Sequence, residues 1–218
     1  MAFYDRADAG RQLASRLSKY RNRPGVLVLA LPRGGVPVGF EVAAALEAPL
    51  DVFLVRKLGV PFQPELAMGA LASGGTRVLN PLVTEALALA PEIMESVVAR
   101  EQAELERRER VYRSGRPAPE VKGKTVILVD DGIATGSTMR AAVLALREQA
   151  AKEIVVAVPV APQSAVAELS SLADELVCVL EPLEFLAIGE WYQDFAQLTD
   201  QEVNRLLQQA AQPVTRVG

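Results

Sequence analysis

The segment VILVDDGIATGST occupies residues 126–138 and guides the interpretation of the whole chain. Its four leading apolar residues form a short continuous run, which is typical of a strand buried on both faces of a parallel sheet. Two adjacent aspartates follow, and a loop of small residues then leads into a predicted helix at 138–149. Because ligands of open α/β sheets bind beyond the carboxyl ends of the strands, this pattern predicts a binding site at the aspartates.

The rest of the chain repeats the alternation of strands and helices. Apolar runs predict further strands at residues 25–31, 50–55, 153–161 and 175–180, and helices are predicted at 6–19, 36–48 and 163–172. This order indicates parallel βαβ units, so the expected fold is an α/β sheet covered by helices on both faces. We expect one domain over residues 1–218, with a helical insertion at about 81–113 that is highly charged at its end.

Composition excludes several kinds of chemistry. The chain of 218 residues contains no histidine, which removes Ser-His-Asp and Cys-His nucleophile systems and any histidine-ligated metal site. Its single cysteine, Cys178, allows no intramolecular disulfide and fits a reducing cytoplasm. We find no signal peptide and no apolar run of membrane-spanning length, which also favours a cytoplasmic protein. The net charge of −4 argues against nucleic acid as a partner.

The aspartate pair, Asp130 and Asp131, and the loop behind it suit a sugar phosphate. Two adjacent carboxylates repel each other, and sugar hydroxyls, a divalent cation or nearby basic residues would each compensate them. Gly136 permits a positive φ angle, and small side chains let backbone N–H groups and the start of the next helix face an anion. A simple helix cap is the alternative, but it does not account for paired acids followed by a complete small-residue loop.

The order of four apolar residues, Asp-Asp, two further residues and Ala-Thr-Gly-Ser-Thr resembles the motif with which type I phosphoribosyltransferases bind 5-phosphoribosyl 1-pyrophosphate (PRPP). The resemblance implies a parallel sheet flanked by helices, with a small C-terminal hood at about 181–200. It also implies that Asp130 and Asp131 hold the ribose hydroxyls of PRPP, directly or through Mg²⁺. The 5′-phosphate would be held by the phosphate loop, which consists of Ala134, Thr135, Gly136, Ser137 and Thr138.

Two further segments are expected to bind the pyrophosphate group. LPRGG, residues 31–35, resembles the family's pyrophosphate loop, which often has a non-proline cis peptide bond at its second or third residue; it would act through Arg33, Gly34 and Gly35. VRKLG, residues 55–59, places Arg56 and Lys57 at the carboxyl end of another predicted strand and is similar to a segment of adenine phosphoribosyltransferases. Residues 63–77 then correspond to the family's flexible catalytic loop, in which Glu65 is interpreted as an exposed carboxylate.

Aromatic residues near the C-terminus are candidates for contact with the acceptor. In relatives that salvage purines, an aromatic residue in this region stacks on the base, and here Phe185, Trp191 and Tyr192 could do so. A hydrophobic cluster that closes the hood is the alternative. Ala134 stands where hypoxanthine–guanine enzymes carry an aspartate, which argues against that specificity.

The function implied by this resemblance is a Mg²⁺-dependent transferase of nucleotide salvage. It would move the 5-phosphoribosyl group of PRPP to a nucleobase or related small molecule and release pyrophosphate. A non-catalytic PRPP-sensing regulator on the same fold is the alternative, and a kinase that makes PRPP would need a longer chain. Family members often form dimers, so a homodimer is expected as well.

Overall fold

A five-stranded parallel sheet forms the centre of the molecule. The computed structural model describes residues 2–113 and 115–212, without the side chains of Pro64 and Glu65, so the prediction for Glu65 lies outside what is described. The strands are β1 (Val26–Ala30), β2 (Leu50–Val52), β3 (Val55–Val60), β4 (Gln63–Ala72), β5 (Thr76–Leu79), β6 (Thr125–Val129), β7 (Glu153–Val160) and β8 (Glu175–Leu180). The main sheet has the order β2-β1-β6-β7-β8, and all of its neighbouring strands are parallel. The predicted parallel α/β sheet is thereby confirmed.

Helices cover both faces of this sheet. They are α1 (Arg6–Arg16), α2 (Gly35–Leu46), α3 (Pro81–Ala86), α4 (Pro91–Arg113), α5 (Ser137–Glu148), α6 (Gln163–Ser170) and α7 (Asp200–Ala211). Because side chains alternate along a strand, Val28 faces a core shared with α1, α2, α4 and α7, whereas Leu27 and Leu29 face a core shared with α5 and α6. Every residue of β1 and β6 is buried, which explains why both strands are uninterrupted apolar runs.

The second sheet is antiparallel and was not expected from the sequence. It has the order β3-β4-β5. The predicted strand at 50–55 is divided in two, because the chain leaves the main sheet at the buried residues Phe53 and Leu54 and begins β3 at Val55. The prediction of a flexible loop at 63–77 is wrong, since residues 63–72 form β4, which pairs with β3 on one side and with β5 on the other. Gly69 permits close pairing here, because a Cβ atom at this position would overlap the carbonyl oxygen of Val78.

Two segments outside the sheets, residues 81–113 and 181–199, were predicted as a helical insertion and as a hood. Residues 81–113 contain α3 and α4, in agreement with the helices predicted there. Residues 181–199 contain one 3₁₀ turn, Ile188–Trp191, and lead into α7. None of the helices in the described part of the chain has the length and apolar character needed to cross a membrane.

Candidate functional site

Two loops meet where the neighbouring strands β1 and β6 end. Residues 31–35, the Arg33 loop, follow β1, and the aspartate pair follows β6. The peptide bond between Pro32 and Arg33 is cis, as the resemblance implies. A Cβ atom on Gly34 would overlap the carboxylate of Asp131, and one on Gly35 would lie 2.7 Å from the carbonyl oxygen of Val129. Glycine therefore lets the Arg33 loop lie directly on the aspartate pair.

Asp131 is buried and Asp130 is half-buried, and the two carboxylates have different surroundings. The guanidinium of Arg6 donates through Nε to Oδ2 of Asp131 at 2.8 Å, and both side chains are about nine-tenths buried. The hydroxyl of Tyr192 donates to the backbone carbonyl of Asp131 at 2.5 Å. Asp130 accepts the N–H of Asp131 at 2.8 Å, and burial together with the charge of Asp131 raises the pKa of its carboxyl well above the ordinary value. Arg6 thus contacts Asp131 directly, and its charge opposes the rise in the pKa of Asp130 only from a greater distance.

A cavity of about 190 Å³ lies beside Asp130 and the phosphate loop. All five residues of the phosphate loop line it, together with Gly132, Ile133, Met139 and Ile188. Gly136 has φ of +76° and directly precedes α5, so the loop turns its backbone toward the helix start through the one residue type that adopts this angle without strain. The hydroxyl groups of Thr135 and Ser137 lie 3.1 Å apart. The arrangement offers small polar side chains and a helix N-terminus to an anion.

Arg33 points away from the aspartate pair toward the C-terminal part of the chain. One terminal nitrogen of its guanidinium donates to the carbonyl oxygen of Leu198 at 2.6 Å, and Nε lies 3.7 Å from a carboxylate oxygen of Asp200. About half of the Arg33 side chain remains exposed. Its backbone belongs to the loop on the aspartates, but its charge lies beside the start of α7.

Arg56 and Lys57 lie in a different place from the one predicted. Since β2 ends at Val52, both residues belong to β3 of the antiparallel sheet and not to a loop at the carboxyl end of a parallel strand. Arg56 donates to Oε2 of Glu101 on α4 through Nε at 2.9 Å and through a terminal nitrogen at 2.5 Å. Lys57 is the next residue along β3 and projects to the opposite face of the strand. The guanidinium of Arg56 is therefore engaged by α4, and a role of this basic pair in binding pyrophosphate stays a prediction.

The aromatic residues form a packed cluster. The ring of Tyr192 is only 2% exposed, and its centroid lies 5.3 Å from that of Phe3 and 4.9 Å from that of Phe195. The prediction that Tyr192 stacks on the acceptor base is therefore wrong, because its ring is enclosed and already contacts two other rings. Phe185 and Trp191 are half-buried against the same cluster. The hydrophobic alternative considered for this segment describes Tyr192 better.

Arg6 is the residue of the site that the sequence did not reveal. It contacts Asp131, donates to the carbonyl oxygen of Ala196 at 2.9 Å and stacks with its guanidinium carbon 3.9 Å from the centre of the Phe195 ring. The Arg6–Asp131 contact joins residues 125 positions apart. An arginine at the start of an amphipathic helix carries no sequence signal for such a contact, since it has the pattern of an ordinary surface cation.

Comparison with known proteins identifies the family. The phosphoribosyl transferase domain family matches residues 2–187. A Mycobacterium tuberculosis protein named provisionally as a phosphoribosyl transferase is 48% identical over 216 residues, which is 99% of this chain. This chain spans only 48% of the length of that relative. The crystal structure of TT1426 from Thermus thermophilus matches with a TM-score of 0.88 and 42% identity, over 97% of this chain and 100% of that chain. Because the family match extends over most of its length, the chain belongs to the phosphoribosyl transferase domain family.

Proposed function

We propose that the chain binds PRPP at the aspartate pair and phosphate loop and transfers its 5-phosphoribosyl group to a nucleobase or a related acceptor. The observation that carries this proposal is the cavity shared by Asp130 and the phosphate loop, with the Arg33 loop packed on Asp131. This surface offers a carboxylate for hydroxyl groups next to a small-residue pocket for an anion. Those are the two kinds of group that a ribose phosphate carries.

The proposed reaction replaces one bond at C1 of the ribose by another. The C1–O bond to pyrophosphate breaks, pyrophosphate leaves with the bonding electrons, and a nitrogen of the acceptor bonds to C1 and releases its proton to pyrophosphate or water. The phosphate loop would hold the 5′-phosphate and Asp130 would accept hydrogen bonds from ribose hydroxyls, so that C1 is presented to the acceptor in a fixed orientation. Arg33 would stabilise the negative charge that grows on the departing pyrophosphate.

The aspartate pair also suits Mg²⁺ bound together with PRPP. Mg²⁺ is usually held by one or two carboxylates, water and substrate phosphates. Asp130 presents a carboxylate to the cavity, whereas Oδ2 of Asp131 already accepts a hydrogen bond from Arg6. Asp130 would therefore be the principal protein ligand, with Asp131 acting directly or through water. When bound, Mg²⁺ would neutralise part of the pyrophosphate charge.

A calorimetric titration tests the binding step. We expect PRPP to bind the unaltered protein and to bind more tightly with Mg²⁺, because the ion offsets the charge of the pyrophosphate group. Gly136→Val should abolish most of this affinity, since Val at φ of +76° is strained and the phosphate loop would have to change its backbone conformation. A lack of PRPP binding with and without Mg²⁺ would refute the proposal.

A pyrophosphate-release assay then separates catalysis from sensing. Bases are added one at a time to protein and Mg²⁺–PRPP, beginning with adenine and uracil, because Ala134 argues against hypoxanthine and guanine. Release that depends on one base identifies the acceptor. PRPP binding with no release for any base would favour the PRPP-sensing alternative. Nucleotide salvage, a cytoplasmic location and a homodimer stay predictions from the sequence.

A further inference from the structure

A second cavity lies on the other side of the Arg33 loop, between the end of α4 and the start of α7. Its volume is about 110 Å³. Three arginines line it, and they come from two distant parts of the chain. The full lining consists of Pro32, Arg33, Arg107, Arg108, Val111, Tyr112 and Asp200. The charged end of α4, which had no role in the sequence interpretation, thus lies next to the loop expected to hold pyrophosphate.

The charges around this cavity favour an anion. Its lining contains three arginines and one carboxylate, so the formal charge of the lining is +2, in a chain whose net charge is −4. Glu104 lies next to the lining and accepts hydrogen bonds from Nε of Arg107 and of Arg108, at 2.8 Å in each case. With Glu104 included, three positive charges still face two negative ones. All three arginine side chains are 43% to 57% exposed, so solvent and ligands can reach them.

The hydroxyl group of Tyr112 also belongs to the cavity lining, and it orients Asp200. The buried Tyr112 donates its hydroxyl to Oδ1 of Asp200 at 2.7 Å, and the same oxygen lies 3.7 Å from Nε of Arg33. Burial and this hydrogen bond raise the pKa of Tyr112 to about 12, so the hydroxyl stays protonated and remains a donor. Asp200 is thereby held at the edge of the cavity, and Arg107 and Arg108 face Arg33 across it.

This second cavity is separated from the aspartate pair by the Arg33 loop. Arg33 lines this cavity, and Gly34, the next residue, lies against the carboxylate of Asp131. The Arg33 loop therefore contacts both the aspartate pair and the arginine-lined cavity. In PRPP the group that extends from the ribose at C1 is the pyrophosphate, which carries most of the charge of the molecule. Planar guanidinium groups match phosphate oxygens in charge and geometry.

We propose that Arg107 and Arg108 of α4, together with Arg33, form the binding site for the pyrophosphate group of PRPP. This inference rests on the proposed function and assigns to the charged end of α4 the part that was expected of Arg56 and Lys57. In the absence of ligand, Glu104 and Asp200 compensate the arginines. Binding of pyrophosphate would replace these carboxylates as partners of the guanidinium groups, so Glu104 competes with the ligand.

The test compares three ligands that share different parts of PRPP: PRPP itself, inorganic pyrophosphate and ribose 5-phosphate. Calorimetry is carried out on the full chain with Arg107→Gln and Arg108→Gln combined. We expect the affinity for PRPP and for pyrophosphate to fall at least about tenfold, because charge-assisted hydrogen bonds are lost. The affinity for ribose 5-phosphate should stay as in the unaltered protein, since the phosphate loop is untouched.

Two further variants keep the result interpretable. Arg110→Gln is the matched control, because Arg110 lies on the same helix but lines a different cavity beside Gly74 and Gly75, and it should bind all three ligands normally. Glu104→Gln removes the competing carboxylate and should strengthen pyrophosphate binding several-fold, an effect that a purely structural ion pair would not give.

Unchanged pyrophosphate affinity in the double variant, or an equal loss for all three ligands, overturns the proposal. Failure of the unaltered protein to bind PRPP while it still binds pyrophosphate through these arginines would instead refute the proposed function.

Discussion

Arg6 connects the aspartate pair to the C-terminal part of the chain, and its replacement has a large expected cost. Arg6→Gln would leave the buried carboxylate of Asp131 next to that of Asp130 without a compensating charge. Breaking a buried ion pair in this way costs about 3–5 kcal/mol of unfolding free energy, and the slight exposure of both side chains places the expected loss near 3 kcal/mol. Denaturant unfolding measures it.

The control for this prediction is Arg11, which lies five residues further along the same helix. Arg11 is 59% exposed and lies 3.7 Å and 3.8 Å from its two acidic partners, so Arg11→Gln should cost less than about 1 kcal/mol. Combining Arg6→Gln with Asp131→Asn should cost less than the sum of the two single changes, because each removes the same contact. Additive losses would mean that Arg6 and Asp131 do not stabilise each other.

Single residues differ in how far their positions could be predicted from the sequence. Asp130 and the phosphate loop are contiguous, so one motif was enough to predict that they line a common surface, and they do line one cavity. Gly34 and Asp131 come from different loops, but both follow strands that end at the same edge of the sheet. Arg6 has no such guide, because its contact with Asp131 depends on how α1 packs against the finished sheet.

At the scale of elements, the buried strands were predictable and the antiparallel sheet was not. β1 and β6 are apolar throughout because both of their faces are covered. β4 includes the sequence AMGALA, in which small residues replace the usual branched side chains, and the resemblance to the family implied a loop here. Its strand character depends on close pairing with β3 and β5, which only the tertiary structure provides. The ion pair between Arg56 and Glu101 depends on α4 in the same way.

The attachment of α4 to the parallel sheet can be tested at its last residue. Arg113 is 3% exposed and donates to the carbonyl oxygen of Val52 at 3.0 Å, to Asp51 at 3.3 Å and to Glu109 at 2.7 Å. Arg113→Leu would leave the buried Asp51 uncompensated, and we expect a loss of about 3–5 kcal/mol in unfolding free energy. Hydrogen exchange should show faster opening of α4, with Arg110→Gln as the control of unchanged exchange. Equal protection of α4 in the unaltered protein and in the Arg113→Leu variant would contradict this anchoring role.

At the scale of the whole molecule, the candidate site joins the two ends of the described chain. Arg6 of α1 and Arg33 of the loop after β1 both donate to backbone carbonyl oxygens between the aromatic cluster and α7, at Ala196 and Leu198. The hydroxyl of Tyr192 binds the backbone of Asp131 from the same side. The aspartate pair is therefore held by α1, by the Arg33 loop and by residues near the C-terminus. A ligand at this point contacts a part of the structure that exists only when the chain is fully folded.

This arrangement predicts that PRPP stabilises the protein as a whole. A ligand that binds only the folded state at a concentration 100 times its Kd adds about 2.7 kcal/mol to the free energy of unfolding. For a chain of 150–250 residues, this corresponds to an increase in Tm of roughly 5–10 °C. Differential scanning calorimetry with Mg²⁺ and increasing PRPP measures the shift, and Gly136→Val, which distorts the phosphate loop, should show none. A single transition that moves to higher temperature means that the site is part of the cooperative fold. A transition that splits, with only one part moving, would contradict the view that the C-terminal contacts and the parallel sheet unfold together.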